Sequence, residues 1–218
     1  MFSGASNLAN TVDSVFLFIC SICVVLLAIV TFAMVYFVIR YSRKKNITPS
    51  NIEGNIPLEI IWTVIPTLLV LAMFYYGWIG YKEIRNVPKD AMVVKATGYM
   101  WAWSFEYENG KQSSILNLPL GKPVKVELSS WDVIHSLYIP AFRVKEDAVP
   151  NKKNYLWFKP DKVGTYNIFC AEYCGQEHSS MLTKAVIMPE NEFKAWYDME
   201  SKSSNTKIQM TNKVQNSK

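Results

Sequence analysis

The spacing of apolar and polar positions divides the chain into two parts. No residue from Ser14 to Ile39 is charged. At about 1.5 Å per residue such a run would reach roughly 39 Å as a helix, more than a bilayer core requires. A second run, Leu58 to Tyr81, carries Glu59 as its one charge and is long enough to cross with a modest tilt. From Ala91 onward the pattern becomes short alternating runs separated by turn-forming stretches such as V-P-K-D, E-N-G-K, L-G-K-P and D-K-V-G. It predicts strands over Met92–Thr97, Tyr99–Tyr107, Pro123–Ser129, Val133–Ile139, Asn154–Phe158, Gly164–Ile168 and Leu182–Met188. About one hundred residues suffice for one sandwich or barrel core.

This order predicts an α+β membrane protein in which a two-helix hairpin precedes an external β-sandwich. The expected divisions are an N-terminal arm (1–13), a hairpin (14–81, spans 14–39 and 58–81, inner loop 40–57), a sandwich (82–190), and a short helix with a polar tail (191–218). A signal peptide is the competing reading of the first run. However, no Lys or Arg precedes Arg40, and the run is long for such a segment. Arg40, Arg43, Lys44 and Lys45 cluster in the connecting loop and set it inside, so both termini and everything after Lys82 lie outside. Pro66 should kink the second span, and Trp62 at one end with Tyr75, Tyr76, Trp78 and Tyr81 at the other should anchor it at the interfaces.

Charge adds little to this picture. Of the net +5, the tail contributes Lys202, Lys207, Lys213 and Lys218, while residues 82–200 hold 15 basic and 15 acidic residues. The tail reads as disordered and lacks the dense basic run that nucleic-acid binding would need.

The candidate chemistry lies in Cys170 to Met181, C-A-E-Y-C-G-Q-E-H-S-S-M. It holds two of the four cysteines and one of the two histidines. Thiolate, imidazole and thioether in one loop favour copper, and two sulfurs pointing inward could bridge two ions if His135 closed the set. A C-x3-C disulfide and a zinc site of two cysteines and two histidines remain alternatives at this stage. Cys20 and Cys23 share a face of the first span and read as small lipid-compatible fillers. Two readings of Glu59 stand side by side: a carboxylate suited to a helix N-terminus, and a proton-handling group at a membrane entrance. Tyr99, Trp101, Trp103, Phe105 and Tyr107 recur at every second position, which in one strand puts them on one face, with some rings at the surface.

Several segments together resemble subunit II of haem-copper cytochrome c oxidase: L-E-I-I-W-T-V-I-P, Y-M-W-A-W-S-F-E-Y, W-D-V-I-H-S, V-K-E-D-A-V-P, and the spacing C-x3-C-x3-H-x2-M. The resemblance covers about residues 10 to 190. It implies a cupredoxin-like Greek-key sandwich holding a binuclear copper A centre. Cys170 and Cys174 would bridge the coppers, His135 and His178 would be terminal ligands, and Met181 a weak axial one. Glu172 would offer its backbone carbonyl to copper and its side chain to a magnesium ion shared with subunit I. Trp101 would pass electrons from docked cytochrome c to copper, and haem in subunit I would receive them. Glu106, Glu108, Asp132 and Asp147 match or lie near acidic docking positions, and Glu59 falls at the mouth of a proton pathway, which favours its functional reading. The implied partners are subunits I and III, cytochrome c and membrane lipid; the implied process is oxygen reduction to water with proton translocation.

Some features depart from that pattern or narrow it. Glu177 adds a carboxylate next to His178, and the absence of C-x-x-C-H makes the electron donor a separate protein or a separate subunit. Retention of all copper ligands disfavours a quinol-reacting relative. A membrane-anchored copper carrier, which would need exposed ligands, is the alternative of a different class. The bacterial plasma membrane is preferred to the mitochondrial inner membrane.

Overall fold

A computed structural model of the chain describes residues 4–44 and 53–199. Lys45 of the basic loop, the first three residues of the arm and the tail from Glu200 lie outside the described residues.

Two long helices come first, α1 (Asn7–Arg40) and α2 (Ile56–Arg85). Their most apolar stretches are not buried by the chain itself, as suits side chains that face lipid. α1 begins seven residues before the uncharged run because Asn7–Asp13 adopt the same helix. α2 is capped reciprocally at its start: the Leu58 N–H donates to Asn55 Oδ1 (3.1 Å), and the Asn55 N–H donates to the Glu59 carboxylate (3.4 Å). The helix continues through Pro66, and the Thr67 hydroxyl donates to the Thr63 carbonyl at 2.6 Å. The two helices pair antiparallel. Thr11 donates to Glu83 (3.0 Å), Gly80 lies against the side chains of Thr11 and Val15, and Phe18 meets Tyr76 edge-on with ring centroids 5.2 Å apart.

Among the described residues, those within Thr11–Glu83 form one compact unit, and those up to Asn10 join those from Ile84 onward in a second. Residues 4–10, which include the first residues of α1, and the domain after α2 therefore share one fold.

That second unit is a two-sheet sandwich. In chain order its strands are β1 (Met92–Tyr99), β2 (Ala102–Tyr107), β3 (Gln112–Ser113), β4 (Leu116–Pro119), β5 (Val124–Ser130), β6 (His135–Ile139), β7 (Val144–Ala148), β8 (Asn154–Phe158), β9 (Gly164–Cys170) and β10 (Leu182–Met188). One sheet runs β3-β2-β1-β5-β8 and the other β4-β10-β9-β6-β7. Alternation sets the core: Met92, Val94 and Ala96 of β1 and Val124, Val126 and Leu128 of β5 point inward from parallel neighbours in register.

The run expected as one strand from Tyr99 to Tyr107 is instead a hairpin. Tyr99 ends β1, Met100 and Trp101 form the turn, and β2 starts at Ala102, with Tyr99 paired to Ala102. Trp103, Phe105 and Tyr107 are buried together, whereas Tyr99 and Trp101 are half-exposed. The turn breaks the single face that the period of two suggested. The strand expected from Val133 begins only at His135, because Val133 and Ile134 lie exposed in the loop before it. Two further pieces complete the domain. Ala5, Leu8 and Ala9 are buried in a strap, where the Ala5 N–H donates to the Ala141 carbonyl (2.8 Å) and the Asn7 N–H to that of Lys159 (3.1 Å). α3 (Glu190–Asp198) buries Phe193 and sets Trp196 against Tyr107.

Candidate metal centre

The site forms where three segments meet at one end of the sandwich. β9 ends on Cys170, a loop with a short 3-10 turn (His178–Ser180) leads to Met181 just before β10, and β6 begins with His135. The Leu137–Cys170 pairing of β6 and β9 and the Ala171 N–H donating to the Ser136 carbonyl (3.0 Å) hold the loop against β6. Residues 35 apart in sequence thus share one pocket.

Cys170, Cys174, His135 and Met181 are buried. Cys170 Sγ lies 3.9 Å from His135 Nδ1 and 3.8 Å from Cys174 Sγ. Cys174 Sγ lies 3.5 Å from His178 Nδ1 and 3.7 Å from Met181 Sδ. The ligand atoms of His135, Cys170 and Cys174 are all within 4.8 Å of one another. Metal bonds of about 2.3 Å to sulfur and 2.0 Å to nitrogen, arranged tetrahedrally, need donors roughly 3.5–3.8 Å apart, so the donors are spaced for a metal. A disulfide needs about 2.05 Å between sulfurs, and both thiols are free. Two imidazoles, two thiols, a thioether and the Glu172 carbonyl, 3.3 Å from Cys170 Sγ, exceed the closed set of four that structural zinc takes. The soft donors fit the copper site of the family found below. Burial pushes the Cys174 thiol up to about 11, with the neighbouring Cys170 adding to the rise. The pocket alone therefore favours the thiol, and a bound cation would be what holds it as a thiolate.

His135 presents Nδ1 to the sulfurs because Nε2, 2.8 Å from Asp132 Oδ1, donates there. Burial works against the Asp132 charge, but the bonds from His135, Met100 and Val133 outweigh it and hold the carboxyl below the usual range. Two glycines make room. A Cβ on Gly98 would sit 3.0 Å from His135 Cδ2. A Cβ on Gly175, whose φ is +121°, would sit 3.2 Å from the indole nitrogen of Trp101. Trp101 thus lies on the ligand loop and donates its N–H to the Cys174 carbonyl at 3.2 Å. Trp103 packs edge-on to His135, and its buried N–H has no partner among the described residues.

The remaining candidates are scattered. Asp147 lies beside the site on β7, where it accepts the Ser136 hydroxyl (2.7 Å). Glu106 is paired with Lys95 at 2.8 Å. Glu108, six residues beyond Ala102 and so about 20 Å along the strand direction, accepts the Val93 N–H at the opposite end. Glu59 belongs to the separate helical unit and engages the α2 cap. The Glu172 side chain is exposed. Sequence reading missed Trp131 (80% exposed, against Tyr99) and Tyr173 (76%, against His178), the large open rings at this end. It also missed the inward role of Asp132. Gly175, directly after a ligand cysteine, was the available signal for a close approach.

Comparison with known proteins gives a consistent match. The model for cytochrome c oxidase subunit II, transmembrane domain, matches residues 1–77, and that for its periplasmic domain matches residues 111–188. The chain is 31% identical to cytochrome c oxidase subunit 2 of Thermostichus vulcanus, over 88% of this chain and 76% of that one. Against the Cereibacter sphaeroides protein of the same description the identity is 28%, covering 89% and 77%. Among solved structures, the periplasmic domain of subunit II of cytochrome oxidase from Bradyrhizobium japonicum aligns over 51% of this chain and 94% of that one, at 34% identity and a TM-score of 0.48.

Proposed function

This chain belongs to the cytochrome c oxidase subunit II family and is the electron-entry subunit of a haem-copper oxidase, and on that premise we propose that it receives electrons from cytochrome c at a binuclear copper A centre. His135, Cys170, Glu172 through its carbonyl, Cys174, His178 and Met181 are the ligands in this reading. The observation that carries it is the pairing of donors: His135 reaches Cys170 and His178 reaches Cys174, one imidazole for each sulfur. Held by Cys170, Cys174, His135 and His178, a copper pair would supply a one-electron carrier whose bonds change little between redox states. The chain's own part is to keep that site rigid and dry. Asp132 fixes the His135 tautomer, burial excludes water from Cys170, Cys174 and Met181, and Gly98 and Gly175 admit two rings at close range.

Trp101 is the entry group, since its indole rests on the ligand loop while part of it stays accessible. Around it, Met100, Trp131, Val133 and Ile134 are exposed and apolar, with Asp147 as the nearby acidic docking group, since Asp132 turns its carboxylate to His135 and Met100. Glu106 and Glu108 would contribute a more distant field. Electrons then pass to haem in subunit I, where oxygen is reduced to water with proton translocation. The exposed carboxylate of Glu172 supplies a magnesium ligand at the subunit I boundary, and Glu59 stands at the proton pathway mouth. Subunit III completes the assembly, and the membrane is the bacterial plasma membrane, with the helix-connecting loop inside.

The test is electron paramagnetic resonance of the copper-loaded oxidase. One unpaired electron shared over two equivalent coppers is expected, and a single-copper spectrum overturns the reading. A copper carrier is disfavoured by the burial of both thiols.

A further inference from the structure

The carboxylate of Asp132 turns inward with both oxygens. Oδ1 lies 2.8 Å from His135 Nε2 and accepts the Val133 N–H at 2.7 Å, while Oδ2 accepts the Met100 N–H at 2.7 Å. His135 is the fully buried ring beside Cys170, and Met100 is the residue before Trp101 in the β1–β2 turn. Trp101 in turn donates to the Cys174 carbonyl. These contacts close a circuit through Cys170, His135, Asp132, Met100, Trp101, Cys174 and back to Cys170, whose sulfur lies 3.8 Å from that of Cys174.

We propose that Asp132 is a positioning residue that sets the turn carrying Trp101 in fixed register with the ligand His135, so that one side chain aligns electron entry with the metal. This rests on the copper reading above. The β1–β5 pairing up to Gly98–Ser130 and the Trp131 N–H donating to the Gly98 carbonyl (3.1 Å) hold the two backbones side by side, which leaves the Met100–Trp101 turn to be fixed against the His135 ring by a side-chain bridge. Asp132 is that bridge, and it is made of charge-assisted hydrogen bonds, which are short and directional. The chemistry needs a carboxylate. It faces three inward nitrogen donors, with the Ser130 hydroxyl as a longer fourth contact at 3.4 Å, and brings no donor of its own. An amide in its place must turn its NH2 towards either Met100 or His135, where a donor already points. With a quarter of its side chain exposed, Asp132 directs its charge to the interior rather than to a partner.

The test compares Asp132→Asn with Asp147→Asn in the intact oxidase. The second variant removes a charge at the same end that bonds to Ser136 instead. For Asp132→Asn, kcat with reduced cytochrome c should fall about tenfold while KM stays within about twofold, and the copper resonance should shift. Asp147→Asn should act through KM and become less sensitive to ionic strength. If Asp132→Asn instead raises KM in a salt-dependent way with an unchanged resonance, it is a docking charge and the proposal is overturned. If the variant fails to hold copper, hydrogen exchange at the Met100 amide in the metal-free full chain decides. Faster exchange than in the unmodified chain supports the bridge, and unchanged protection overturns it. Absence of the two-copper signal in the unmodified oxidase would sink the copper reading itself, which is a separate outcome.

Discussion

The two ends of the sandwich use the same residue types for opposite purposes. At the end that carries α3 and the strap, aromatic rings are closed in. The Tyr107 hydroxyl donates to the Asn117 carbonyl (3.0 Å) and accepts the Asn117 N–H (2.7 Å), and Lys111 sits 4.3 Å over the Trp196 ring while donating to the carbonyls of Trp196 and Met199. At the metal end, hydrogen bonds converge on ligands and on the Trp101 turn, while Trp131 and Tyr173 are left open to solvent. The difference teaches how to tell packing from function in so aromatic a domain. A ring closed in by the fold supports stability, and an open ring beside a tightly braced pocket marks where something else docks.

Substitutions at each end test that division, beginning with the largest expected effect. Cys174→Ser should abolish the two-copper centre, seen as loss of its resonance and of bound copper, while circular dichroism of the sandwich stays the same. If the sandwich unfolds as well, the metal end also carries stability and the contrast fails. Leu8→Ala, in the strap, should cost about 3 kcal/mol in denaturant unfolding, as burial without room to collapse predicts, and should leave the copper spectrum unchanged. Gly175→Ala combines a disfavoured φ with contact against the Trp101 indole, so about 2 kcal/mol is expected. Its diagnostic readout is Trp101 fluorescence, which a change at the far end would not move. Tyr107→Phe should cost about 1.5 kcal/mol by leaving the Asn117 backbone unpaired.

The last of these also carries a pH signature. Burial raises the Tyr107 phenol well above its ordinary value of 10.0. The folded state therefore keeps that proton when the unfolded chain releases it, so stability is full below about pH 10 and declines as pH rises beyond it. Melting curves from about pH 8 to 11 should show the decline in the unmodified protein and a shallower one in Tyr107→Phe.

Much of this was legible in the chain itself. Both helices followed from long stretches with hardly a charge, a signal that needs no tertiary context, although the ends of α1 and α2 ran past it into polar residues such as Asn7 and Arg85. The ligand motif was legible because packing alone rarely gathers soft donors at such density. The bracing around it was not. Asp132 reads as one more surface acid until β6 and the β1–β2 turn bring His135 and Met100 to its two oxygens. The hairpin at Met100–Trp101 was hidden because alternation continues through it without a Gly, Pro or Asn to mark a turn. β7, V-K-E-D-A, looked like loop because an edge strand needs only Val144 and Ala148 inward. The strap could not be seen, since nothing local tells Leu8 that its neighbours lie about 130 residues or more away.

That strap ties the order of synthesis to the order of folding. Ala5, just before α1, and Leu8 and Ala9, in its first turn, are made ahead of nearly all of both helices, yet they are buried in the domain made last. The sandwich therefore cannot complete its packing from its own stretch of sequence, and its closure waits on residues that the helical unit separates from it. A fragment beginning at Ile84 would be born with a slot along the Lys159 and Ala141 carbonyls. A short peptide carrying residues 4–10 is the natural plug for it.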